Sequence, residues 1–194
     1  SNGTLDLAFG GSGTGQVATD IGGASNRAGN IVLQPNGAIV VSGKPGGGQH
    51  TDVVRYNANG TLDASFGGGG KLTLADVDVG QGLARQSDGK LILVGSVVEA
   101  TAPATSRYLL KRLNVDGSPD TSFGTTGTVD TAFTQSAAAG GVALQADGKI
   151  VVVGTRAFSA NENFIVARYN ADGSVDRGFG SDGKDKWGTT EQPG

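Results

Sequence analysis

Cysteine and methionine are missing from these 194 residues, and histidine and tryptophan occur once each. Without cysteine there can be no disulfide, no thiolate nucleophile and no cysteine-ligated zinc. Without methionine, Ser1 is expected to be a processed end, a fragment end or an artificial one. Positive charge is sparse: 15 Lys and Arg against 18 Asp and Glu leave a formal net charge of −3. No basic cluster of the kind that neutralises phosphates is present, so nucleic acid is not an expected partner. No apolar run approaches the roughly 20 residues that cross a bilayer, and no signal-peptide pattern is seen, so membrane insertion is not expected.

Glycine, by contrast, is abundant, with 35 residues, more than twice its usual share of about 7%. It lacks the three-residue period of collagen and falls where strands would end, which is turn chemistry. Apolar residues amount to 37% but are gathered into short Val/Ile/Leu runs, which argues against disorder.

Two phrases recur. Gln145-Ala146-Asp147-Gly148-Lys149-Ile150-Val151-Val152-Val153-Gly154 is preceded by Gln86-Ser87-Asp88-Gly89-Lys90-Leu91-Ile92-Leu93-Val94-Gly95 and by Gln34-Pro35-Asn36-Gly37-Ala38-Ile39-Val40-Val41-Ser42-Gly43. Each reads as a hairpin, with Asn-Gly or Asp-Gly expected to form a type I′ turn before a buried β-branched strand. The second phrase runs Gly-x-x-Asp-x-x-Phe-Gly and begins at Gly3, Gly60, Gly117 and Gly173, which gives spacings of 57, 57 and 56 residues. Near-constant spacing means stacked copies of one supersecondary unit, and this period suits a propeller with generous loops.

Four strands are expected in each unit, at residues 29–34, 38–43, 52–57 and 71–75, then 81–86, 90–97, 107–114 and 128–133, then 141–145, 149–155, 164–170 and 185–189. The fold class is therefore all-β, a β-propeller-type array of four-stranded blades in a single repeat domain spanning 1–194. The blades fall at about 21–77, 78–134 and 135–190, and a spare N-terminal strand lies at 15–20. Three blades are too few to close a ring and would leave apolar faces in water. The expected partners are a second copy of the chain or further blades of a longer one, with two copies making a six-bladed ring. A spare strand could also clip onto a neighbour by strand addition.

The compound motif, complete in Ala167-Arg168-Tyr169-Asn170-Ala171-Asp172-Gly173-Ser174-Val175-Asp176-Arg177-Gly178-Phe179-Gly180, resembles the delta-60 repeat family of bacterial β-propeller-like proteins. The likeness covers nearly the whole chain and departs from the pattern at Ala38 and at Lys184-Asp185-Lys186-Trp187-Gly188. It implies a β-propeller in large secreted or surface-attached bacterial proteins and brings no catalytic residues with it.

Candidate sites follow from recurrence. Asn170, Asp172 and Asp176, like Asn114, Asp116 and Asp120, have the look of short oxygen-rich calcium loops, though calcium takes six to eight oxygens and these loops are short. The plainer reading is that Asn and Asp cap a reversing turn while the last Asp accepts a hydrogen bond from the backbone or from Arg55, Arg112 or Arg168. Those arginines, with Asp63, Asp120 and Asp176, recur in every unit, whereas an active site needs unlike groups converging once. They are expected to fix the blades, and Phe9, Phe66, Phe123 and Phe179 to wedge between them. His50 is expected to be an exposed loop residue without a carboxylate partner. The Gly-rich stretches 10–13 and 67–70 precede strands rather than helices, which argues against phosphate loops.

Asp20, Asp76 and Asp78 are candidate acids at a propeller mouth. The connections at 44–51, 99–106 and 156–163 differ between units and are where recognition is expected. The leading expectation is a non-enzymatic extracellular or cell-surface structural or interaction module that self-assembles or binds another protein or a surface glycan, and needs no cofactor. The alternatives are a polysaccharide hydrolase or lyase and calcium-dependent adhesion.

Overall fold

A computed structural model describes residues 3–22, 26–46, 50–75, 81–98, 106–133, 136–158, 161–180 and 183–187. Among them are twelve strands and no helix: β1 Asn26–Leu33, β2 Ile39–Pro45, β3 Thr51–Tyr56, β4 Lys71–Leu74, β5 Gly82–Arg85, β6 Leu91–Val98, β7 Ser106–Leu113, β8 Thr128–Thr131, β9 Ala137–Leu144, β10 Ile150–Phe158, β11 Asn161–Tyr169 and β12 Lys184–Trp187. They form three antiparallel meanders, β1–β4, β5–β8 and β9–β12, in sequential order. The first strands lie side by side, β1 by β5 and β5 by β9, so the sheets follow one another as blades with β1, β5 and β9 along one edge.

The turns differ from expectation. Gln34, Gln86 and Gln145 each accept a hydrogen bond from the amide of Gly37, Gly89 or Gly148, and each donates its own amide to the residue after that glycine. Only the glycine has positive φ, at 82°, 89° and 85°. Each hairpin is thus a three-residue loop, a type I turn closed by a left-handed glycine, and not the two-residue type I′ turn, in which Asn or Asp would also be left-handed. The physical reason is that Asn36, Asp88 and Asp147 use their side chains to cap the amide two residues on, at 3.1, 3.1 and 3.2 Å, which suits a residue of negative φ.

Three further expectations are corrected. Residues 15–20 form no ladder, although Thr19 accepts the Tyr56 hydroxyl of the first blade. None of the strands among the described residues pairs with them. The connection at 156–163 is largely strand, since Arg156 pairs with Asn163, Ala157 with Glu162 and Phe158 with Asn161. The first strand of the third blade starts at Ala137 rather than Gly141, because a bulge at Gly140 lets pairing resume at Ala139 opposite Gly154. The last strand, expected at 185–189, is described at Lys184–Trp187.

The alternation along β6 and β7 explains why their apolar runs are continuous. Ile92, Val94, Tyr108 and Leu110 point forward into a cluster with Ala139, Ile150, Val152, Ile165, Ala167 and Tyr169 of the third blade. Leu91, Leu93, Leu109 and Leu113 point back into a cluster with Val40, Val53 and Phe66 of the first. Every inner strand of the middle blade is covered on both faces, so its sequence has no polar stripe. Each blade therefore has a forward face, which meets the next blade, and a rear face, which meets the one before.

Candidate functional site at the blade junction

The groups that recur in the sequence converge at the junction between blades. In the middle blade Arg112 leaves β7 and donates from Nε to Asp120 Oδ2 at 2.7 Å. Its Nη2 donates to Ser122 Oγ at 3.1 Å, and its Nη1 crosses to the third blade and donates to the Ala171 carbonyl at 2.6 Å. The guanidinium lies 4.6 Å from the Phe123 ring centroid, in cation–π geometry. Phe123 itself packs against Gly173, where an added Cβ would sit 2.9 Å from its ring. Gly124 then donates its amide to the Asp172 carbonyl at 2.9 Å. One phrase thus supplies an ion pair, an aromatic wedge and two hydrogen bonds to the following blade.

The first blade repeats the arrangement. Arg55 pairs with Asp63 at 2.8 Å, stacks over Phe66 at 4.7 Å and donates to the Val115 carbonyl. Gly67 donates to the Asp116 carbonyl at 2.9 Å. The N-terminal segment supplies only the outer half: Phe9 lies against Gly60 and Gly10 donates to the Asn59 carbonyl at 2.8 Å. Thr19 accepts the Tyr56 hydroxyl at 2.7 Å, as Thr131 accepts that of Tyr169 at 2.9 Å. In the third blade Arg168 pairs with Asp176 at 2.8 Å and stacks over Phe179 at 4.6 Å. Neither of its terminal nitrogens has a hydrogen-bond partner among the described residues.

Sequence reasoning passed over Lys90 and Lys149. Each reaches from its Asp-Gly-Lys turn to the same aspartate that holds the arginine, Asp120 or Asp176, at 2.7 Å. Their recurrence was visible; Ala38 stands at that place in the first blade, so Asp63 has no lysine. The lysine hydrogen bond is the main cause that holds Asp120 far below the usual carboxylate range and Asp176 at about 2. The Ser65 hydroxyl is the largest cause lowering Asp63.

The calcium candidates are engaged by the chain itself. Asp116 and Asp172 accept the hydroxyl and amide of Ser118 and Ser174 at 2.6 to 2.9 Å. Asn114 and Asn170 turn their Nδ2 donors, not their oxygens, toward those hydroxyls at 3.0 and 2.9 Å. Asp120 and Asp176 give Oδ2 to two cations and Oδ1 to a backbone amide. Among the described residues no group of three or more Asp, Glu or His is placed to hold a metal ion.

Of the candidate acids, Asp76 and Asp78 lie outside the described residues. Asp20 is exposed, caps the Gly22 amide at 2.8 Å and receives Lys71 on its carbonyl. His50, expected to lack a carboxylate partner, has one: its Nε2 is 3.5 Å from Asp52 Oδ2, because the histidine immediately precedes the strand that carries the aspartate. Asp52 is 3% exposed, accepts Thr73 Oγ1 at 2.6 Å through Oδ1, and has no hydrogen bond to Oδ2. Of the variable connections, residues 47–49, 99–105 and 159–160 lie outside the described part.

A family model described as a domain of unknown function (DUF5122), beta-propeller, matches residues 34–66, 86–123 and 145–179, which together exceed half of the chain. Each match runs from a hairpin glutamine to the phenylalanine of the second phrase, Phe66, Phe123 or Phe179. No curated protein matches.

Proposed function

The chain belongs to the DUF5122 beta-propeller family, and from that premise we propose that it is a non-enzymatic structural or interaction module of the bacterial exterior, built to join blades to blades. The observation that supports this reading is the junction itself: the same Arg–Asp–Phe arrangement occurs in three consecutive blades. Its carboxylates are held ionised by cations and hydroxyls of the same chain, so they are neither free bases nor protonated acids at neutral pH. Absence of cysteine and abundance of Gly, Thr, Ser and Asn support an extracellular or cell-surface location. No metal is needed for the fold, and melting in calcium and in chelator is expected to coincide.

Light scattering across a concentration series tests the assembling part of this reading. Species heavier than the 19.3 kDa chain are expected. A well-folded 19.3 kDa particle at every concentration would refute it.

A further inference from the structure

The two internal junctions define what each end of the row lacks. On the forward face of the middle blade, Val94 and Tyr108 are 0% exposed. The corresponding residues of the third blade, counted back from Gly154 and Arg168, are Val153 and Phe164, which are 45% and 72% exposed. Beside them Arg168 has two terminal nitrogens without an acceptor among the described residues. In the middle blade Arg112 sends Nη1 to the Ala171 carbonyl of the next blade and Nη2 to Ser122 of its own.

The rear face of the first blade is the matching half. Ala28, Val41, Gly43, Asp52, Val54 and Tyr56 stand where the third blade has Ala139, Val152, Gly154, Ile165, Ala167 and Tyr169. In the third blade those positions are sealed by the forward face of the second, with the Tyr108 hydroxyl reaching the Ile165 carbonyl at 3.4 Å and passing over Gly154. In the first blade they line a cavity of about 350 Å³ instead. The Ala58 carbonyl, at the place of Val115 and Ala171, accepts nothing among the described residues. One end thus offers an aromatic knob and unused donors, and the other a hollow and an unused acceptor, at the positions that mate inside the chain.

We propose that a second copy of this chain joins the two: the forward face of the third blade of one copy packs on the rear face of the first blade of the other. This rests on the assembling reading above and names its surface. Phe164 enters the hollow over Gly43 as Tyr108 lies over Gly154, and Arg168 donates to Ala58. Thr155 takes the place of Ser96, whose hydroxyl accepts the Ala139 amide at 2.9 Å, and meets the amide of Ala28. The floor of the hollow is apolar at Ala28, Val41, Gly43 and Val54, Thr19, Asn26 and Arg27 stand at its wall, and Asp52 has His50 beside it.

The junction is head to tail, and two copies carry six blades, within the range of closed propellers. Phe9 and Gly10 already hold the seat on the first blade that Phe179 and Gly180 would need. Residues 16–20 therefore run along β11 of the neighbour as its fourth strand, and β12 gives way. Val17 and Thr19 match Val129 and Thr131 of β8, whereas β12 carries Asp185 and Trp187 at those places.

Light scattering on the full chain and two variants decides the matter. Wild type is expected at twice 19.3 kDa. Phe164→Glu, at an exposed position, and Val41→Glu, on the wall of the hollow, are each expected to halve the mass with the β-type circular dichroism intact. Mixing the two variants is expected to restore a two-chain particle, because one of the two junctions then has both faces unaltered. An assembled wild type whose mass neither variant changes, or a mixture that stays monomeric, overturns this junction and leaves the assembling reading standing. A monomeric wild type overturns both. Should Val41→Glu fail to fold, Phe164→Ser carries the test alone: unchanged mass refutes the junction and halved mass supports it.

Discussion

The junction between the second and third blades and the forward end of the third blade are made from the same residues in different surroundings. Arg112 and Arg168 each pair with an aspartate, share it with a lysine and stack on a phenylalanine. The Arg112 side chain is 9% exposed and ends on the next blade's carbonyl, while that of Arg168 is 22% exposed and ends on nothing described. Ser122 supplies one more acceptor to Arg112, and Gly178 stands in its place beside Arg168. The local phrase is therefore enough to form the Arg–Asp–Phe cluster, and the neighbouring blade is what encloses it. Enclosure raises what is lost when one partner is removed: in solvent an ion pair is worth about 0–1 kcal/mol, whereas a buried charge left without its partner costs about 3–5 kcal/mol.

That contrast is open to direct test. The largest difference is expected at the wedges. Phe123 is fully buried against Gly173, so Phe123→Ala should cost about 3–5 kcal/mol in urea unfolding. Phe179 is only half-buried, and Phe179→Ala should cost roughly 1 kcal/mol of the same scale. Equal losses would mean that the wedge acts within its own blade.

The arginines come next. Arg112→Met removes a buried cation that holds Asp120 and a cross-blade carbonyl, with an expected loss of about 3 kcal/mol. Arg168→Met, measured at a concentration where the chain is monomeric, should lose less than about 1 kcal/mol. A double-mutant cycle with Asp120 and with Asp176 would sharpen the comparison further, and similar coupling energies at both sites would break it.

Acid should produce the smallest and most gradual effect. Asp120 and Asp176 have folded-state pKa values below the ordinary 3.8. Their contribution is then fully present above about pH 4 and is lost as pH falls through the folded values, because the unfolded chain binds the protons first. The melting temperature should be level at pH 5–7 and fall progressively from pH 4 toward pH 2. Asp120→Asn should flatten that fall; a melting profile that declines as steeply in this variant would place the acid sensitivity elsewhere.

How far these features were readable beforehand depends on the residue. The hairpin phrases located all the inner strands to within a few residues, since β-branched runs bounded by Asp-Gly allow little else. Turn type was not read correctly, because Asn-Gly and Asp-Gly serve both the type I′ turn and the type I turn with a left-handed glycine. A clue stood in Pro35, whose fixed φ suits the second residue of a type I turn. Recurrence of Arg55, Arg112 and Arg168 pointed to a structural duty, but nothing in the spacing said that the arginine reaches the next blade. The partners Val115 and Ala171 offer only backbone, and a backbone carbonyl leaves no mark in the sequence. Asp52 escaped notice, and His50 was read as partnerless, for a different reason: the pair is unrepeated, and a search by recurrence overlooks what happens once.

Repetition, turn chemistry and the period of apolar residues belong to the chain as written, and they sufficed for three four-stranded blades because each depends on neighbours within a few residues. Which apolar face is covered, which arginine is enclosed and where a hollow remains were decided only by the stacking of the blades. Val94 and Val153 share a motif position. One is sealed and the other bare because burial is a property of what stands opposite, and that is set by the order of blades in space.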